Sequence, residues 1–138
     1  MFKSRWYRIG WPVLLLVCLI SCRRAQPADP LAGTLWVATE CLGQKPVTGT
    51  TLTLSFDSGQ VRGSSGCNTY FGSYRVSAKR IDVEQLASTK MACQEPGVMQ
   101  QEGAFLASLG EVDTFRQEEG RLELVRPDGQ TLVFKPGE

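Results

Sequence analysis

The sequence predicts an α+β fold: a strongly curled, mostly antiparallel sheet of about seven or eight strands with one packed α-helix. Two observations carry this. Short runs of alternating polar and apolar residues recur between clusters of Gly, Asp, Ser and Pro, the pattern of half-buried strands joined by hairpins. One stretch, between Pro96 and Gly110, instead spaces its apolar residues as a helix does. Hairpin connections imply antiparallel neighbours, and a single helix can cover the open end or a face of such a sheet.

The elements follow in order. Residues 34–39, with Leu35, Trp36 and Val37, read as the first strand, and Gly43 to Pro46 as a turn. Residues 51–56 alternate cleanly, and Asp57-Ser58-Gly59 turns the chain back into 60–64, with Val61 inward. Residues 70–76 form the next strand, with Gly72 marking a bulge. In 80–86 the apolar set is Ile81, Val83 and Leu86. Pro96 is placed for a first helical position and Gly110 for the C-terminal cap; between them Val98, Phe105, Leu106 and Leu109 make a stripe. Gly103 weakens that helix by about 1 kcal/mol relative to Ala. Residues 112–117, 121–125 and 130–135 return to period two as closing strands.

A chain of 138 residues, 42% of them hydrophobic, suits one domain with a packed core. Its net charge of +1 conceals an asymmetry. Lys3, Arg5 and Arg8 lie in the first 21 residues, which carry no acid, leaving twelve basic against fourteen acidic residues beyond them. No basic surplus points to nucleic acid. The chain contains no histidine, which removes the commonest general base and the commonest metal ligand. Neither a Ser-His-Asp nor a Cys-His site can exist within it. No clustered metal ligands or calcium loop appear, so no metal or cofactor is expected.

The three N-terminal cations precede ten mostly apolar residues, 11–20. That run is too short to span a bilayer and has the length and flank of a secretory h-region. It ends in Leu19-Ile20-Ser21-Cys22, which resembles the bacterial lipobox. The resemblance implies that 1–21 is a lipoprotein signal peptide and that Cys22 becomes the acylated first residue of the mature chain. Several acyl chains anchor stably where one does not. Arg23, and not Asp, follows the cysteine; in a Gram-negative cell this favours the outer membrane, facing the periplasm. Residues 23–30 read as a polar, Pro-punctuated tether, and 31–138 as the domain.

Within the domain, Gly33-Thr34-Leu35-Trp36 opens the fold, and the run from Gly66 through Cys67, Asn68, Tyr70 and Gly72 is followed downstream by Thr89-Lys90-Met91-Ala92-Cys93. In combination these segments, from about residue 31 to 135, resemble the META domain family of HslJ-like bacterial lipoproteins. The resemblance implies a curled antiparallel sheet close to a cracked barrel with one helix. It implies no reaction, only a loose link to envelope stress. The fold is similar to that of pilot lipoproteins that bind partner tails and lipid.

Exported cysteines tend to pair. With Cys18 removed and Cys22 acylated, Cys41, Cys67 and Cys93 allow three pairings. The family pattern favours Cys67–Cys93, closing a loop worth roughly 3.5 kcal/mol in the chain-entropy model. Asn68 is expected to tie down its own turn by local hydrogen bonds, and Gly63, Gly66 and Gly72 to permit close backbone packing. Thr89 and Met91 belong to the same structural motif. Lys90 is read as a solvated charge. Trp36, Tyr70, Phe71 and Tyr74 are read as core in preference to a ligand cleft. Asp82 and Glu84 share one solvated strand face, and Glu118-Glu119 sits in a turn. The expected function is a non-enzymatic, membrane-anchored role, binding or supporting an envelope protein or lipid. A carrier of a small hydrophobic ligand is the alternative, and a thiol-based enzyme stands behind both.

Overall fold

The computed structural model describes residues 28–138. The signal peptide, Cys22 and most of the tether lie outside the described residues. Eight strands and one helix follow in order: β1 (Thr34–Cys41), β2 (Thr53–Asp57), β3 (Gln60–Ser64), β4 (Thr69–Ser77), β5 (Arg80–Ser88), α1 (Val98–Leu109), β6 (Thr114–Glu118), β7 (Arg121–Val125) and β8 (Thr131–Pro136). Each strand pairs antiparallel with its sequence neighbours, and β8 returns to β1, so the sheet closes into a barrel. The fold is therefore mostly β.

The crack expected in the sheet survives as a thin seam. β5 and β6 are separated by α1 instead of a hairpin, and share only the pair Arg80↔Thr114. Two further backbone hydrogen bonds close the gap, Ile81 N–H to Asp113 O and Phe115 N–H to Lys79 O, each 3.0 Å. Strands joined by two-residue turns, such as β2–β3 and β6–β7, meet over longer ladders.

Two irregularities shape the wall. Thr39 is an extra residue in β1, between Ala38↔Phe134 and Glu40↔Val133. It shifts the inward phase from Trp36 and Ala38 to Cys41, which is why β1 runs past residue 39 and buries a thiol. The bulge expected at Gly72 lies instead on the opposite strand. Gln85 and Leu86 of β5 face Gly72 alone, and Gln85 has φ 55°. Gly72 leaves room for them: a Cβ there would come within 2.9 Å of Glu84 O and the Leu86 side chain.

The interior is filled by inward residues of every strand. Leu54 and Phe56 of β2, Tyr70 and Tyr74 of β4, Leu122 and Leu124 of β7 and Phe134 of β8 are nearly inaccessible. Aromatic rings meet edge to face, with centroids 4.9 Å apart for Phe56–Tyr74, 5.7 Å for Tyr70–Phe105 and 6.4 Å for Phe105–Phe134. Both ends are plugged. Leu31 is fully buried where the chain comes in, beside the β2–β3 turn (Gly33 N–H to Phe56 O, 2.8 Å) and Tyr74, whose hydroxyl donates to the Asp29 carboxylate. At the far end α1 inserts Phe105 and Leu109.

The helix start differs from the expectation. Pro96 lies in the preceding turn, and Gly97, at φ 83°, is the N-cap, so the first helical residue is Val98. A left-handed cap favours glycine, and proline's fixed negative φ cannot adopt it. Gly110 caps the C-terminus as expected, with right-handed geometry.

Two glycines separate backbone crowding from helix propensity. A Cβ on Gly63 would stand 2.0 Å from Thr53 O, whereas one on Gly103 meets nothing within 4 Å. Gly63→Ala is expected to lower stability by about 3 kcal/mol. Gly103→Ala should raise it by roughly 1 kcal/mol. Urea unfolding midpoints measure both.

Candidate functional site

The motif residues converge at the helix end of the barrel. The β3–β4 loop, residues 65–68, closes on itself through Ser65 N–H to Asn68 O at 2.8 Å, with Gly66 at φ 108°. Cys67 and Cys93 form a disulfide across a Cα–Cα distance of 6.0 Å, as the family pattern implied. Cys41 is free and buried, and burial pushes its thiol pKa up.

The Asn68 side chain does not tie down its own turn as expected; its hydrogen bonds reach residues 89, 91 and 102. Its Oδ1 accepts from Met91 N–H (2.7 Å) and from the Thr89 hydroxyl (2.8 Å). Its Nδ2 donates to Met91 O (3.0 Å) and to Glu102 Oε1 (2.6 Å). The amide thus pairs with both backbone groups of Met91 as a strand residue would, holding a segment more than twenty positions away. Thr89 completes the join, its N–H donating to Thr69 O at 3.0 Å and its hydroxyl accepting from Thr69 N–H at 3.2 Å.

Glu102 lies at the centre and carries no motif that marks it in the sequence. It is 6% exposed. Its Oε2 accepts from the Ser65 hydroxyl (2.7 Å) and Asn68 N–H (2.8 Å). No cation pairs with it among the described ion pairs. Burial raises its pKa, but hydrogen bonds from Ser65, the Asn68 side chain, and the Asn68 and Cys67 backbone outweigh this, and the net shift is downward. Donor groups aimed at the charged form have replaced a counter-ion. One signal was present in the sequence: Val98, Glu102, Phe105 and Leu109 share a helix face, so an acid interrupts the apolar stripe. Beside it Gln101 clamps the 47–50 loop, accepting from Val47 N–H at 2.6 Å and donating to Thr50 Oγ1 at 3.0 Å.

The remaining candidates separate. Trp36, Tyr70 and Tyr74 are core, whereas Phe71 faces outward and is 64% exposed. Met91 (60%) and Met99 (41%) are also exposed near the disulfide. Lys90 is exposed, as are Asp82, Glu84, Glu118 and Glu119. Glu84 pairs with Arg75 at 3.0 Å. Among the described residues no group of three or more His, Cys, Asp or Glu is placed to hold a metal. A cleft of about 370 Å³ lies between the 41–47 loop and α1, with Cys41 in its lining.

The architecture defines a class: a small closed antiparallel barrel, plugged by one helix that a buried carboxylate and a disulfide fasten to the rim. The chain belongs to the META domain family, whose model matches residues 29–138. It is similar to a Burkholderia xenovorans protein of known NMR structure, with 26% identity, TM-score 0.64 and 99% of each chain covered. A second NMR structure shares the fold at 23% identity and TM-score 0.63, covering 76% of this chain and 90% of the other. Comparison with curated proteins returns no match.

The depressed pKa gives Glu102 a signed effect. Its ionised form stabilises the fold fully above the unfolded-state value of about 4.3, and that contribution is lost as pH falls through the lower folded-state value. Glu102→Gln is expected to cost about 2 kcal/mol at neutral pH and to flatten the acid limb of stability below about pH 4.3. Unfolding curves measured across pH test both.

Proposed function

We propose that this chain is a lipid-anchored envelope lipoprotein whose META domain has a non-enzymatic partner-binding or structural role, in keeping with the family's loose link to envelope stress. The observation that carries this is the contrast between a filled interior and an apolar far end. Side chains from the strands and from α1 pack the barrel lumen, so a hydrophobic-ligand carrier finds no room there. Of the four exposed large apolar side chains among the described residues, three, Phe71, Met91 and Met99, stay in water toward the end where α1 sits, and Leu35 lies at the other. Soluble monomers keep large exposed apolar patches small unless they meet something.

The polarity of the barrel supports the same reading. Residues 29–33 join at the end that carries the β2–β3 and β4–β5 hairpins. A tether running back to an acylated Cys22 would turn those hairpins to the membrane and present the helix end to the envelope space. The chain has no histidine for acid–base chemistry, and its free thiol is buried with a raised pKa, the opposite of an activated nucleophile.

Photo-crosslinking in cells tests this. A crosslinker at position 71 should capture a discrete protein, and one at position 79 should capture lipid. Recovery of lipid alone from position 71 would sink the partner-binding role. Labelled palmitate should enter the wild type and not Cys22→Ser; equal labelling of both would remove the anchor.

A further inference from the structure

Four sulfur-bearing residues around the disulfide invite a reading that partner binding does not use. Cys67 and Cys93 are joined. The Met99 sulfur accepts the Cys93 N–H at 3.5 Å, which places a thioether beside that cysteine. The Met91 carbonyl lies 3.6 Å from Cys67 Sγ. Both methionines are exposed, an unusual place for flexible apolar side chains that ordinarily fill cores. We infer that Cys67, Cys93 and Met99, with Met91 beside them, form a redox-gated Cu(I) site, closed while the disulfide is intact and open once it is reduced.

Ligand chemistry selects the metal. Thiolates and thioethers are soft and favour Cu(I) over the oxygen-loving divalent ions. Zinc sites draw on cysteine, histidine and carboxylate in tetrahedral sets, and here there is no histidine and the other nearby sulfurs are thioethers. The surrounding backbone preorganises the same residues. Asn68, next to Cys67, holds Met91, two residues before Cys93, through both of its backbone groups. Thr89 adds its own bonds to Thr69. These bonds join the two segments without using the S–S bond, so they would still hold the two thiols close after reduction.

The chemistry balances with one named co-reactant. A dithiol reductant cleaves the Cys67–Cys93 bond by thiol–disulfide exchange. The reductant becomes its own disulfide, and each cysteine sulfur ends with one proton. Cu(I) then displaces both protons, forming two copper–thiolate bonds in a complex of net charge −1, and the Met99 thioether completes the sulfur set. In an oxidising envelope the site stays shut.

The test uses the full chain in detergent, either reduced with tris(carboxyethyl)phosphine or left oxidised, and titrated against Cu(I)–bicinchoninate. The reduced wild type and Cys41→Ser should each withdraw about one equivalent of copper, and the oxidised protein should withdraw at least about tenfold less. Cys67→Ser and Cys93→Ser should abolish uptake. Met99→Leu, an exposed volume-conserving change that leaves the fold intact, should weaken it about tenfold or more. No uptake by the reduced protein, equal uptake by the oxidised form, loss of uptake in Cys41→Ser, or full affinity in Met99→Leu would each overturn the site.

Discussion

A carboxylate without a counter-ion governs how this domain is put together. Removing a charged group from water is costly unless hydrogen bonds replace its hydration. Glu102 is buried and has no paired cation among the described residues, so its ionised form depends on the donors of residues 65–68. Those donors exist only in the loop geometry that Gly66 and Ser65 permit. The loop in turn presents Asn68, which holds the 89–91 segment, and that segment leads through Cys93 into the helix bearing Glu102. The circuit is closed: the helix supplies the anion, the loop supplies the donors, and the chain between them is bound to both.

This circuit explains why a twelve-residue helix can plug a barrel. Phe105 and Leu109 provide apolar burial without direction. Glu102, on the same face, fixes the helix in register over the rim, and Gln101 extends the grip to the 47–50 loop. The disulfide constrains the unfolded chain, whereas the Asn68 and Glu102 bonds act in the folded one, so the two devices are complementary. They also leave the nearby methionines and Phe71 free to face outward.

Much of the barrel was legible because period-two alternation and turn chemistry are local properties. The Asp57-Ser58-Gly59 turn and the strands on either side could be read residue by residue, and so could the helix and its Gly110 cap. Closure was not legible, because the β8–β1 ladder and the thin β5–β6 seam join strands that no hairpin connects. The Thr39 bulge was equally hidden, and with it the reason Cys41 turns inward, since one extra residue reverses the inward phase without changing composition. Gly72 drew attention to the correct place but the wrong strand. At the site, Asn68 announced itself by its Gly-rich setting, yet the reach of its side chain depended on a segment distant in sequence. Glu102 could be noticed only as an acid in an apolar stripe, a pattern that more often marks a frayed or partly exposed face.

The central claim is that Glu102 and Asn68 act as one unit across the rim, and a double-mutant cycle measures this directly. Unfolding free energies at neutral pH are compared for the wild type, Asn68→Ala, Glu102→Gln and the double variant. The expected result is a coupling of about 1–2 kcal/mol, the double variant losing less than the two single losses combined. Losses that simply add, with coupling near zero, would contradict the claim and leave the helix held by apolar packing and the disulfide alone.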